Sequence, residues 1–141
     1  MKIKIYDKLS DSARIIREEV FMKEQGFQNE FDEIDDRAKH IVLYTEEGKP
    51  VATCRIFKGE YSGDYILGRL AVRKEYRGKN IGATIVEEAE RCVKELGGNT
   101  LSLHAQCRVS KFYQNLGFSE YGEADEDEGC PHIWMKKVLS H

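Results

Sequence analysis

The fold is decided by the stretch Arg77-Gly78-Lys79-Asn80-Ile81-Gly82-Ala83, which separates a strand-like run from a helix-like run. The run before it, residues 65–72, is short and largely apolar, as in a buried strand. After the stretch, apolar residues recur at near-helical spacing as far as Leu96, with charged residues on the other faces. The sequence therefore predicts a strand, then a basic glycine-bearing turn, then an amphipathic helix.

A helix that begins in this turn suits a phosphate group. The first backbone N–H groups of a helix have no partners within it and carry the positive end of the helix dipole. Small residues let the backbone come close to a bound anion, and the turn has them at Gly78, Gly82 and Ala83. Positive side chains surround it at Arg73, Lys74, Arg77 and Lys79. The turn is therefore predicted to cradle a diphosphate.

Length and composition restrict the class of protein. A chain of 141 residues is one ordinary domain, which we take to span residues 1–141. The formal net charge of −3 argues against a general nucleic-acid binder, because such proteins need a clustered basic surface. The chain shows no apolar segment typical of a signal peptide or a membrane span. We therefore expect a cytoplasmic protein without a nucleic-acid or membrane partner.

The cysteines and histidines do not show the spacing of a metal site. The four cysteines are widely scattered and include no C-x-x-C pair, at Cys54, Cys92, Cys107 and Cys130. This pattern is neither a zinc motif nor a dense disulfide framework, so free thiols are expected. His40 and His132 also lack ligand spacing around them. No metal cofactor is predicted.

The order of the predicted elements, β-α-β-β-β-α-β-α-β-β, describes an α+β fold with a mixed sheet and helices on both faces. Ser10 offers a cap for the first helix, and the acidic segment 25–39 carries enough apolar residues to lie over the body of the protein. The strand after the central helix should return parallel to the strand before that helix. Strands are predicted at 2–6, 40–45, 51–58, 65–72, 101–105, 118–121 and 132–138, helices at 13–24, 80–96 and 109–116, and an acidic turn at 123–129, with Pro131 just before the last strand.

Three segments, taken together in this order, resemble the GNAT superfamily of N-acetyltransferases. Residues 77–83 are similar to the acetyl-CoA signature Gln/Arg-x-x-Gly-x-Gly/Ala, with Asn80 in place of its usual central glycine. The second segment is the strand 69–72, and the third, 109–118, looks like the helix Ala-x-x-Phe-Tyr-x-x-x-Gly-Phe. Residues 20–26 and 130–135 resemble the small ElaA-like branch of the superfamily.

The resemblance implies acetyl-CoA as the acyl donor and direct attack by an amine on its thioester. It implies that backbone N–H groups of the signature bind the pyrophosphate and that the strand before it pairs with the pantetheine arm. An N–H near Val72 would polarise the thioester carbonyl. Gln106 and Ser110 are further candidates for the pantetheine amides, although ordinary surface and helix-cap roles suit them equally. The expected coenzyme-binding residues are Leu70, Ala71, Val72, Arg77, Gly78, Lys79, Asn80, Ile81, Gly82, Ala83, Gln106 and Ser110.

The resemblance also makes Tyr113 the candidate general acid. A phenol can protonate a leaving thiolate because its reference pKa, about 10, lies above the roughly 8.5 of a thiol. From its residue type alone, Tyr113 reads instead as an aromatic packing residue beside Phe112.

The acceptor side is less defined, and a small-molecule or peptide amine fits it. An attacking amine needs a base, and the number of acidic residues favours a cationic acceptor. Candidates for contact with the acceptor are Glu24, His40 and His132, with Glu30, Asp32, Asp35 and Asp36 as further carboxylates. The sequence is compatible with a homodimer. The alternative functions are a non-catalytic acyl-CoA sensor or interaction module and, on weaker grounds, a nucleotide-phosphate enzyme.

Overall fold

A seven-stranded sheet in the order β1-β2-β3-β4-β5-β7-β6 forms the centre of the computed structural model, which describes residues 1–140. The helices are α1 (Asp11–Arg17), which continues as a π-helix (Glu18–Glu24), α2 (Ile81–Glu95) and α3 (Ser110–Asn115). Short 3-10 turns lie at Glu33–Asp36, Lys74–Tyr76 and Cys107–Val109. The strands are β1 (Lys2–Tyr6), β2 (Lys39–Tyr44), β3 (Pro50–Lys58), β4 (Asp64–Val72), β5 (Thr100–Gln106), β6 (Ser119–Asp127) and β7 (Cys130–Val138).

Only one pair of neighbouring strands in the described chain, β4 and β5, runs parallel. Helix α2 connects them, because parallel neighbours need a crossover and cannot be joined by a tight turn. The predicted return beside the 65–72 strand is therefore confirmed. The start of α2 consequently lies at the end of the sheet where β4 finishes.

Helices cover both faces of the sheet, which confirms the predicted α+β class. On one face, the apolar stripe of α2, including Ile85, Val86 and Ala89, packs into the main core. On the other face, Ile16 of α1 joins a second apolar cluster with residues from β2 and β4. The Ser10 side chain accepts a hydrogen bond from the Ala13 N–H at 3.2 Å, as its predicted capping role requires.

The first helix differs from the prediction of one helix over 13–24. Its second half is a π-helix, in which residues five apart lie on the same face. This spacing brings Glu19 and Glu24 to two arginines that follow β4: Glu19 accepts from Arg73 at 3.0 Å, and Glu24 accepts from Arg77 at 2.8 Å. The π-helix is thus bound to the segment between β4 and α2.

The acidic segment 123–129 is not a turn, and this prediction is wrong. Strand β6 continues to Asp127, with a register shift against β7 beside Gly122, and the turn consists of Glu128 and Gly129. Pro131 correspondingly lies inside β7, opposite Glu126. Every residue of β6 is exposed at the edge of the sheet, so its acidic side chains keep contact with water while its backbone pairs with β7.

The remaining features of the fold are the state of the cysteines and the hydropathy of the helices. All four cysteines are free thiols, as their spacing predicted. Within residues 1–140, no helix combines the length and the apolar character that crossing a bilayer requires.

Candidate active site

The central feature of the site is an opening between β4 and β5. The two strands pair only from Asp64–Thr100 to Leu67–Leu103, and beyond that point β4 leaves its neighbour. A bulge causes the departure: β4 shifts register against β3 between Gly68 and Ala71, and Arg69 adopts a positive φ of 53°. A cavity of about 300 Å³ lies in the opening, lined by both strands, the π-helix, the segment after it, β7 and α3.

The free edge of β4 offers backbone groups to a ligand in this opening. The Arg73 N–H donates to the Val51 carbonyl of β3 at 2.9 Å. Because successive N–H groups of an extended strand point to opposite sides, the Val72 N–H points toward the opening. Leu70 lines the cavity, whereas the side chains of Ala71 and Val72 pack elsewhere in the core.

The segment predicted to cradle a diphosphate leads into the start of α2 as a left-handed turn. Gly78 and Asn80 adopt left-handed conformations, with φ of 77° and 64°. Within residues 1–140, the backbone N–H groups of residues 78–83 donate to no protein acceptor. A Cβ on Gly82 would lie 3.1 Å from the Phe112 ring, so the glycine also permits close packing of α2 against α3. A left-handed turn with free N–H groups is the arrangement that binds phosphate.

Two of the four basic side chains around the cradle are neutralised by carboxylates. Arg73 pairs with Glu19, and Arg77 pairs with Glu24 while its Nε donates to the Val72 carbonyl at 2.9 Å. The hydrogen bond from Arg77 lowers the pKa of Glu24. Glu24 therefore lies beside the cradle rather than in the cavity, where an acceptor-binding role would require it.

Tyr113 of α3 reaches the cavity with its side chain almost fully enclosed. Only 8% of the residue is exposed, and its ring packs edge-on against Phe112 and Phe118 at 4.9 and 5.9 Å between centroids. Burial raises the pKa of Tyr113. Its hydroxyl makes no hydrogen bond within residues 1–140. The only side-chain polar atom there that is both fully buried and without a partner is Arg55 Nε, so the Tyr113 hydroxyl retains some exposed surface. The hydroxyl is thus open to a group in the cavity.

Gln106 lines the cavity, and Ser110 does not. The Gln106 amide donates to Gln25 Oε1 at 2.9 Å and accepts from Arg108 Nε at 2.8 Å. These two hydrogen bonds connect the residue after the π-helix to β5 across the opening. Ser110 is the first residue of α3, and the cap position before it belongs to Val109, so the alternative helix-cap role expected for Ser110 is wrong.

The two candidate histidines lie in different places. His40 is 1% exposed, its Nε2 lies 2.9 Å from the Asp35 carbonyl, and burial lowers its pKa. It does not line the cavity, so it is not positioned to contact an acceptor there. His132 of β7 does line the cavity, and its ring lies 4.7 Å from that of His104 on β5.

Sequence reasoning missed several cavity residues, notably His104, Arg69 and Phe21. His104 was detectable, because the alternation of β5 places Leu101, Leu103 and Ala105 in the core and His104 on the opposite face. Arg69 was not detectable, since the direction in which its side chain points depends on the bulge in β4.

A buried ion network supports the wall of the cavity. It contains three cations and three anions: Arg17, Arg55, Arg69, Glu30, Asp32 and Asp35. Asp35 Oδ1 accepts hydrogen bonds from both Arg17 and Arg55 at 2.8 Å. Burial raises the pKa of Asp35, but these arginines outweigh it and lower the pKa to about 2. The network binds segment 25–39 to the sheet. Two of its members, Glu30 and Arg69, line the cavity, and burial raises the pKa of Glu30.

A metal site is not apparent among the residues that the structure describes. Within residues 1–140, no three His, Cys, Asp or Glu side chains come together as a metal would require.

Comparison with known proteins identifies relatives over most of the chain. A family model described as an acetyltransferase (GNAT) domain matches residues 8–139. The uncharacterised N-acetyltransferase YjcF of Bacillus subtilis is 34% identical over 128 residues, which cover 89% of this chain and 89% of YjcF. The crystal structure of Escherichia coli ElaA has a TM-score of 0.81 and 26% identity, over 96% of this chain and 98% of ElaA.

A more distant structure shares the fold alone. It is an aminoglycoside 6'-N-acetyltransferase complexed with coenzyme A, with a TM-score of 0.76 and 17% identity, over 98% of this chain and 97% of its own. These comparisons confirm the predicted fold and the predicted similarity to ElaA.

Proposed function

The chain belongs to the GNAT acetyltransferase family and is an acyltransferase of that type, and on this premise we propose that it moves an acetyl group from acetyl-CoA to an amine. The acceptor is a small molecule or a peptide amino group, and the amine attacks the thioester directly. One observation carries the proposal: the parallel strands β4 and β5 separate after Leu67 and Leu103, leaving a cavity beside a free strand edge.

The cradle and the free edge of β4 fit the two parts of coenzyme A. The unpartnered N–H groups of residues 78–83 would hold the pyrophosphate, and Lys79, whose ammonium lies over the Tyr76 ring, would add positive charge in the same turn. Residues 70–72 would pair with the pantetheine arm as a neighbouring strand does. The Val72 N–H would then polarise the thioester carbonyl as charge develops on its oxygen.

Tyr113 would act as the general acid. Its raised pKa keeps the phenol protonated at neutral pH, and its hydroxyl faces the cavity without a competing protein partner. When the C–S bond breaks, the coenzyme A sulfur would take the phenol proton, which lowers the cost of expelling a thiolate.

The free cysteines suit a reducing compartment, so we place the activity in the cytoplasm.

Thermal denaturation and thiol release together test the proposed function. Acetyl-CoA should raise the melting temperature, since a ligand that binds the native state stabilises it. Free coenzyme A thiol should then appear when acetyl-CoA is combined with members of a panel of polyamines, amino sugars, amino acids and peptides. Stabilisation without thiol release from any amine would favour a non-catalytic sensor, and no stabilisation would contradict the coenzyme site.

A further inference from the structure

We propose that His132 is the general base that takes the proton from the acceptor amine, a role that rests on the acetyl transfer proposed above. His132 lines the same cavity as Tyr113 and Leu70. It lies on β7, which borders β5 on the side away from β4, so His132 and Leu70 line the cavity from strands on opposite sides of β5. An amine that enters between them meets the base on one side and the acyl carbon on the other.

The tautomer of His132 leaves its outer nitrogen basic. Its Nδ1 lies 2.7 Å from the Cys130 carbonyl oxygen. A carbonyl oxygen can only accept, so Nδ1 carries the proton and donates it. In the neutral ring, Nε2 must therefore carry the lone pair. Nε2 has no hydrogen-bond partner within residues 1–140, and it is not among the fully buried unpartnered atoms there.

The surroundings hold the His132 ring in one orientation. The residue is 7% exposed, and its ring packs on His104, which in turn stacks on Trp134 at 4.9 Å. His104 is engaged elsewhere, because its Nε2 lies 2.7 Å from Asp125 Oδ1. Of the two histidines on the cavity, His132 is thus the one whose Nε2 is unpaired.

In the proposed step, every proton has a source and a destination. The amine nitrogen forms a bond to the thioester carbon, the C–S bond breaks, and the sulfur takes the proton of the Tyr113 hydroxyl. His132 Nε2 first takes one proton from the ammonium form of the acceptor, and the nitrogen gives up its second proton to solvent as the amide forms. The imidazolium then releases its proton to solvent, and the Tyr113 phenolate recovers one from solvent. No oxidant, reductant or metal takes part.

Charged and titratable side chains surround His132 on the elements packed against it. They are His104 on β5, Arg108 in the 3-10 turn after β5, Asp125 and Asp127 on β6, Glu128 in the following turn, and Glu30 with Arg69 across the cavity. A pH profile must therefore be read as a difference between the wild-type protein and a variant.

The variant His132→Asn is the sharpest test, because the asparagine amide can still donate to the Cys130 carbonyl while the basic atom is removed. With the best acceptor from the panel at pH 7, kcat/KM should fall about 100-fold, within the usual range for loss of general-base catalysis. Affinity for acetyl-CoA should stay within about twofold, since His132 does not touch the cradle. The control Glu120→Gln, at an exposed residue of β6 outside the cavity, should keep kcat/KM within about twofold of the wild-type value.

The pH dependence distinguishes a base from a packing residue. As pH rises to 9.5, more of the acceptor is already unprotonated, so the difference between His132→Asn and the wild-type protein should shrink. A purely structural defect would leave the ratio constant at every pH. A constant ratio, or wild-type activity in His132→Asn, would overturn the role of His132 alone. Failure of the wild-type protein to acetylate any amine would overturn the proposed function as well.

Should His132→Asn fail to bind acetyl-CoA, His132→Gln supplies the same comparison of pH profiles.

Discussion

Tyr113 combines a buried ring with a hydroxyl that reaches the cavity. It is enclosed by aromatic rings, so its pKa is raised, and its hydroxyl is nonetheless accessible from the cavity. The residue type of Tyr113 predicted a packing role, whereas the resemblance of its segment to the GNAT helix implied a catalytic one. The structure shows the packing contacts of the ring directly. A substitution that keeps the ring and removes the hydroxyl tests the catalytic role separately.

Replacing Tyr113 with Phe should therefore lower kcat about 100-fold at pH 7–8. The ring and its contacts with Phe112 and Phe118 persist, so the melting temperature and the affinity for acetyl-CoA should change little. Steady-state kinetics with the best acceptor, together with calorimetric titration of acetyl-CoA, measure both effects. Because the raised pKa keeps the phenol protonated, the ratio of wild-type to variant kcat should hold from pH 6 to 9. Equal kcat values would remove Tyr113 from the mechanism.

Single elements differ in how well their sequence predicts them. The end of α2 was predicted within one residue, because Gly97 and Gly98 follow its apolar stripe and Gly97 adopts a positive φ. The length of β6 was not predicted, because its acidic side chains are typical of loops and its strand character comes only from pairing with β7. The opening between β4 and β5 likewise depends on a bulge at Arg69, a non-glycine residue without a local turn signal.

The start of α2 offers a prediction at the scale of the element. Asn80 holds a left-handed conformation that Ala adopts at a cost of about 1 kcal/mol and Gly adopts freely. Asn80→Ala should therefore lower stability by about 1 kcal/mol and weaken acetyl-CoA binding several-fold, because the N–H groups of the cradle change direction. Asn80→Gly, the matched control, should retain both properties. Chemical denaturation and calorimetric titration measure them, and equal values for the two variants would show that the cradle does not depend on this conformation.

For the whole molecule, the buried ion network connects α1, segment 25–39, β3 and β4. Asp35 accepts from two arginines, so its loss would leave buried positive charge uncompensated. The network was not predicted as such: the acidic residues were visible in the sequence, but their partners come from distant strands. Glu30 and Arg69 of the network line the cavity, and the other four members hold them in place from behind.

Asp35→Asn should lower the free energy of unfolding by about 3 kcal/mol at pH 7. The folded pKa of about 2 lies below the ordinary value of about 3.9. The contribution of Asp35 is therefore present above about pH 4 and is lost as pH falls toward 2. Urea denaturation across this range should show a flatter pH dependence for the variant. Asp36→Asn, an exposed neighbour, should stay within about 0.5 kcal/mol of the wild-type protein. Similar curves for Asp35→Asn and the wild-type protein would contradict the account of the network.

The central claim is that acetyl transfer from acetyl-CoA to an amine takes place in the cavity between β4 and β5. The most direct test is to quantify both products of one reaction, free coenzyme A by thiol titration and N-acetylated acceptor by mass spectrometry. We predict equal amounts of the two products, formed only when both substrates are present, and about 100-fold slower with Tyr113→Phe. Release of thiol without N-acetylated product, or no reaction with a protein that binds acetyl-CoA, would contradict the claim.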